Sequence, residues 1–168
     1  NYTSNCRFIL AANYSYKIID PIQSRCAVFR FKPLSEEELN GLVDHIAEKE
    51  GLKIDDKSKK ALYEVSKGDC RKLENCLQSC ASVSEEITDE LIYSMASFAR
   101  PEELKNVLES SLKGNFVEAR DELLKVMQKY GLAGLDVLKQ LQSRIWDLDI
   151  GKEEKVKLID KCGEIEFR

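Results

Sequence analysis

The sequence predicts a mainly α-helical chain that begins with a short strand-bearing segment. Three observations carry this. Two apolar stretches of strand character, residues 8–12 (FILAA) and 27–31 (AVFRF), stand near the N-terminus. After Pro33 apolar residues recur at helical spacing along the rest of the chain. Residues that favour helix starts precede these helical stretches, and several close on glycine or run up to proline.

The first stretch, ending at Asn13, is continuously apolar, as in a strand buried on both faces of a parallel sheet. The second alternates and is rich in β-formers. The connection between them, NYSYKIIDPIQSRC, is long enough for a crossover with one helical turn near Pro21.

The helices follow in order. LSEEELNGLVDHIAEKEG opens on a capping box, Ser35 with Glu38, and closes at Gly51. IDDKSKKALYEVSKG has Asp55 or Asp56 as its cap and Gly68 as its terminator. DCRKLENCLQSCASV is capped by Asp69, and TDELIYSMAS starts at Thr88. Arg100-Pro101 marks a boundary, because proline disfavours helix before it and suits the first turn after it. Amphipathic helices then cover 101–112, 115–130, about 134–148 and 152 onward, with Phe116, Ala119, Leu123, Val126 and Met127 expected inward on the second.

Composition excludes several classes. The 168 residues are 43% hydrophobic and 33% charged, with a net charge of −4, so the surface as a whole is not a nucleic-acid footprint. No apolar run is long enough to span a membrane. The six cysteines, at 6, 26, 70, 76, 80 and 162, include no C-x-x-C. Cys70, Leu73, Leu77 and Cys80 share one helical face with Cys76 beside them, which predicts core thiols in a reducing compartment rather than zinc or disulfides. The single histidine, His45, lies off its helix's apolar face and reads as a surface residue.

Three short stretches depart from simple patterning. Asn13 places an amide at the carboxyl end of a buried strand, where open α/β sheets bind ligands, although a turn-former fits as well. Arg25, in Ser24-Arg25-Cys26, offers a planar, permanently charged fork suited to phosphate, although a solvated surface arginine also fits. Arg71, in KGDCRKLEN, stands in the first turn of a helix, where a cation opposes the helix dipole. Each signal is weak alone.

Together, in their order and context, they resemble the replication factor C small-subunit family, sliding-clamp loaders of the AAA+ class in archaea and eukaryotes. RFILAANYSYKIIDPIQSRCAVFRF resembles that family's sensor-1 strand and Ser-Arg-Cys box, and GDCRKLENCLQ its sensor-2 helix. The resemblance implies that residues 1–33 are the C-terminal remnant of an AAA+ ATPase core. It implies a helical lid at 34–98 and a truncated, all-α oligomerisation collar at 100–168. It assigns Asn13 to sensor 1 and Arg25 to an arginine finger acting in trans on a neighbouring subunit's ATP. Arg71 becomes sensor 2, a nucleotide-binding residue. The implied activity is loading of a clamp onto primed DNA, coupled to ATP binding and hydrolysis. Implied partners are the large and small loader subunits, the clamp and primer-template DNA. No membrane is involved, and the compartment is the archaeal cytoplasm or the eukaryotic nucleus.

The sequence departs from the family pattern in two ways. Cys70 and Lys72-Leu73-Glu74 replace a more apolar run on the sensor-2 helix. No G-x-x-x-x-G-K-[ST] and no acidic Walker-B strand is found. The expectation is therefore a piece whose intact parent uses ATP and Mg²⁺, and which binds neither and is inactive by itself. The family's strand order leaves 8–12 and 27–31 without the strand between them. Direct pairing or pairing with another copy is expected over loss of order, with Asn13 and Arg25 out of active geometry. A helical protein-interaction module without a nucleotide role, and another AAA+ relative such as a bacterial clamp-loader subunit, are the alternatives.

Overall fold

The computed structural model describes residues 6–167. The chain divides into two units, Asn1–Lys32 and Pro33–Arg168.

In the first unit the regular structure is a 3-10 turn at Ser15–Lys17 and one α-helical turn, α1, at Asp20–Gln23, which has Pro21 in its first positions. Gln23 ties them together: its Nε2 donates to the carbonyls of Ser15 at 3.0 Å and Ile18 at 2.6 Å. The helical turn near Pro21 is where the sequence places it.

The strands expected at 8–12 and 27–31 do not form. Phe8, Ile9, Leu10, Val28, Phe29 and Phe31 are all exposed, Ile9 by 97% and Phe31 by 96%. The cause is the missing ladder. A strand needs a neighbour's N–H and C=O groups, and neither segment finds them in the other or elsewhere among the described residues. Of the two kinds of pairing expected, the direct one between the segments is absent among the described residues.

The second unit is built of helices, and its starts follow the capping chemistry. Helix α2 (Glu36–Glu50) has the Ser35–Glu38 capping box and ends on left-handed Gly51. Helix α3 (Asp56–Ser66) is capped by Asp55 through the Ser58 N–H at 2.8 Å. Helix α4 (Cys70–Ala81) is capped by Asp69, and α5 (Asp89–Met95) by Thr88. A two-residue parallel pair, β1 (Lys53–Ile54) with β2 (Glu86–Ile87), joins the segments ahead of α3 and α5. It is the two-stranded sheet among the described residues, and strands of two residues are too short to leave an alternating pattern.

Beyond Pro101 come α6 (Pro101–Leu112), α7 (Phe116–Tyr130), α8 (Gly134–Arg144) with a 3-10 turn at Ile145–Asp147, and α9 (Lys152–Glu166). Helices α6 and α7 pack closely, with Lys129 paired to Glu103 at 2.8 Å across them. One buried cluster runs from Leu39 and Val43 of α2, through Leu62, Leu73, Leu77 and Ile92, to Leu104, Val126 and Val137. The core is thus continuous across Arg100-Pro101. On α7, Ala119 and Val126 are buried as expected and Leu123 and Met127 half-buried, but Phe116 is 72% exposed. It opens the helix directly after Asn115, ahead of the face that α6 covers.

The cysteines need a correction. Cys76 and Cys80 are buried and free, but Cys70 is exposed, as are Cys6 and Cys26. Cys70 is the first residue of α4, where the Asp69 cap holds the turn outside the core. The Cys80 thiol bonds to Cys76, which pushes Cys80 up from its ordinary value and Cys76 down. Among the described residues no group of His, Cys, Asp and Glu could hold a metal ion. No described helix is long and apolar enough to cross a membrane. His45 is exposed, as the sequence suggests.

Candidate functional site

Arg25 follows α1 directly, in the turn that closes it. Its Nη1 donates to the Pro21 carbonyl at 2.7 Å, and its own N–H donates to the Ile22 carbonyl at 3.1 Å. Ser24 Oγ bonds the same Pro21 carbonyl at 3.1 Å. A helix C-terminus leaves carbonyls without partners, and a cation there is favoured. The guanidinium therefore rests on its own turn, exposed, with donors left free for an external anion. Among the described residues it meets no carboxylate. Asn13, in a bend ahead of the 3-10 turn, is exposed and makes no hydrogen bond with Arg25.

Arg71 belongs to the second unit, at the second position of α4. Its guanidinium is exposed and finds neither hydrogen-bond nor ion-pair partner among the described residues. The nearest acid in sequence, Asp69, is engaged as the cap, accepting from the Lys72 N–H at 3.1 Å. Lys67 and Lys72 are exposed beside it. Three cations over six residues thus stand at a helix N-terminus, whose dipole is itself positive. That end of α4 is suited to an anion, and a phosphate would meet both the charge and the fork geometry.

The turn ahead of the Arg71 helix is unusual in its backbone. Lys67 and Gly68 are both left-handed, with φ of 52° and 82°. The glycine spacing in the sequence marked the turn but not what packs against it.

Sequence reasoning missed a polar network that joins α3 to later helices. Glu64 accepts from the Tyr93 hydroxyl at 2.9 Å and from the Arg144 guanidinium at 3.5 Å. Arg144 also reaches Asp147 at 3.7 Å. Buried Gln140 of α8 accepts the Ala99 N–H at 2.9 Å. Separations of 29, 41 and 80 residues put the Glu64–Tyr93, Gln140–Ala99 and Glu64–Arg144 pairs beyond any local pattern. A glutamine on the inner face of α8, at position 140 beside Val137 and Leu141, was the one visible hint.

Helix α9 buries no side chain and presents Val156 and Ile165 to solvent, with Trp146 exposed just before it. Leu112, Val117 and Leu135 are also exposed.

Comparison with known proteins gives these features a context. Residues 99–168 match the replication factor C C-terminal domain. Over 167 residues, 99% of this chain, it is 48% identical to the replication factor C small subunit of Methanococcus maripaludis (strain S2), covering 53% of that protein. It is 47% identical to the small subunit of Archaeoglobus fulgidus, covering 52%, and 46% identical to that of Pyrococcus furiosus, covering 20%. The chain therefore spans about half the length of the first two and a fifth of the third. The similarity runs through both units: over its whole length the chain is similar to replication factor C small subunits, with that family's C-terminal domain matched at residues 99–168.

Proposed function

We propose that this chain is part of a small subunit of a sliding-clamp loader, contributing residues that sense nucleotide and a helical face that joins subunits. The observation that carries the reading is whole-length identity of 46–48% to replication factor C small subunits, spanning both units. An adaptor without a nucleotide role would need neither an unpaired arginine on α4 nor the Ser-Arg-Cys turn.

Three parts follow. Residues 1–33 are the end of an ATPase core, 34–98 its lid and 100–168 a collar. Arg71, exposed and unpaired beside Lys67 and Lys72, reaches the phosphates of its own subunit's nucleotide. Arg25 reaches the nucleotide of a neighbouring subunit. Asn13 orients the water that attacks the γ-phosphate. ATP with Mg²⁺ supplies the hydrolysable phosphoanhydride. The arginine donors fit its phosphates, while the metal's ligands are assigned to the part of the full-length subunit outside this chain. In phosphoryl transfer catalysis is positioning plus charge stabilisation, so fixed guanidinium groups act by neutralising charge that builds on the transferred group. The apolar surface of α9, Trp146 and Leu135 is the subunit contact in the collar.

The test is ATP hydrolysis by a complex reconstituted from the full-length subunit and its loader partners. Clamp and primed DNA together should raise the rate. A rate indifferent to both would overturn the reading.

A further inference from the structure

Gly68 does more than end a turn. At its φ of 82°, a Cβ would stand 2.5 Å from the Leu34 carbonyl oxygen and 2.8 Å from Pro33 Cβ, nearer than side chains come. Across the same contact the Leu34 N–H donates to the Gly68 carbonyl at 3.0 Å. Pro33 and Leu34, the first residues of the helical unit, therefore lie backbone against backbone on the α3–α4 turn. The next residues of that turn are Asp69, which caps α4, and, two further on, Arg71. Gly51, Gly114 and Gly131 are left-handed as well, yet a Cβ on any of them would meet nothing within 4 Å. Left-handed geometry alone thus explains those three glycines and does not explain Gly68.

We propose that Gly68 is a positioning residue that clasps the entry of the chain into the helical unit to the base of the Arg71 helix. The proposal rests on the reading of Arg71 as a nucleotide-facing arginine. Its logic is steric and hydrogen-bonded together. With no Cβ, Gly68 admits Pro33-Leu34 to contact, and the Leu34 bond fixes the register there. Ser35 then caps α2 at once, so the entry peptide has no slack on its far side. Lys67 and Gly68 are consecutive left-handed residues, which narrows the ways in which the turn can yield. An anion that draws on Arg71 moves α4, and α4 carries residues 33 and 34 with it.

The test uses the full-length subunit in its assembled complex, with ATP as the probe. Gly68→Ala is compared with Gly51→Ala, which imposes left-handed strain without the close approach. Pro33→Gly loosens the clasp from the other side and leaves the turn unstrained, so the test does not hang on Gly68→Ala folding. Exchange of the Leu34 amide should quicken about tenfold in Gly68→Ala and in Pro33→Gly, while Gly51→Ala leaves it within about twofold. Both clasp variants should shift KM and kcat for ATP in the same sense as Arg71→Ala. Combined with Arg71→Ala they should add nothing, since a residue acting through Arg71 has nothing left to position. Full additivity, or an equal effect from Gly51→Ala, would overturn the proposal alone. Arg71→Ala without effect on KM or kcat would overturn the reading beneath it, and the proposal with that reading.

Discussion

The Glu64 carboxylate stands 3.5 Å from the Arg144 guanidinium, 80 residues further along the chain, and accepts the Tyr93 hydroxyl at 2.9 Å. One acid on α3 thus serves α5 and the end of α8. The two contacts differ in worth. The ion pair is partly solvated, with side chains 21% and 33% exposed, so its Coulomb energy is screened. Tyr93 is buried, and its hydroxyl gives a charge-assisted bond. Arg144→Gln, which removes the ion pair and leaves the Tyr93 bond to Glu64, should therefore cost about 0.5 kcal/mol, the scale of exposed ion pairs. Tyr93→Phe should cost about 1.5 kcal/mol, the lower end for bonds to charged groups. Urea unfolding of both variants checks the ranking, and the reverse order would show the ion pair dominant.

Burial, and next the bond to Glu64, push the Tyr93 phenol up from its ordinary 10.0. A raised value in the folded state means stability that is complete below pH 10 and lost as pH climbs through the folded value. Stability of the unaltered chain should fall more steeply above pH 10 than that of Tyr93→Phe. Other tyrosines and lysines contribute to both chains and cancel in the difference. Parallel slopes from pH 9 to 11 would show that Tyr93 does not ionise with unfolding.

Gln140 offers a sharper stability test, because its partner is backbone. Its Oε1 accepts the Ala99 N–H at 2.9 Å, with Ala99 fully buried and Gln140 nearly so. Gln140→Leu keeps the bulk but leaves that N–H without an acceptor. The expected loss is about 1 to 3 kcal/mol, the desolvation cost of an orphaned buried donor. A neutral result would mean that the peptide at 99 finds another acceptor.

Helix starts were legible because they are written locally. Ser35 with Glu38, Asp55, Asp69 and Thr88 each cap within three residues of themselves, and the structure uses all four caps. The strands at 8–12 and 27–31 were misread for the complementary reason. Their composition states a preference for pairing, but pairing needs a partner the segment does not contain. Gly68 and Glu64 were illegible as contacts for the same cause: what they touch is remote in sequence. Arg71 was legible as a misfit with its helix dipole, and it is exposed and unpaired. Exchange should show the difference directly. Amides 8–12 and 27–31 should exchange freely in this chain, and on the reading proposed above should slow by orders of magnitude in the full-length subunit, where the rest of the core would supply ladder partners. Protection already present in this chain would mean that the segments pair without help.

Arg25 gives the test that reaches from this chain to a neighbour. Here its guanidinium rests on the Pro21 carbonyl at 2.7 Å, an exposed contact that tidies a helix end. Arg25→Ala should therefore leave the fold and the stability of the subunit nearly unchanged, since a solvated cap of this kind is replaced by water. In the reconstituted loader the effect should fall elsewhere. Each subunit carrying Arg25→Ala should bind ATP as before, while single-turnover hydrolysis at the adjoining site drops by about a thousandfold, the lower range for arginine fingers. Arg25→Lys should recover little, because an ammonium presents a point charge where a planar fork is needed. Loss of ATP binding in the altered subunit itself would place Arg25 at its own nucleotide and end the assignment in trans.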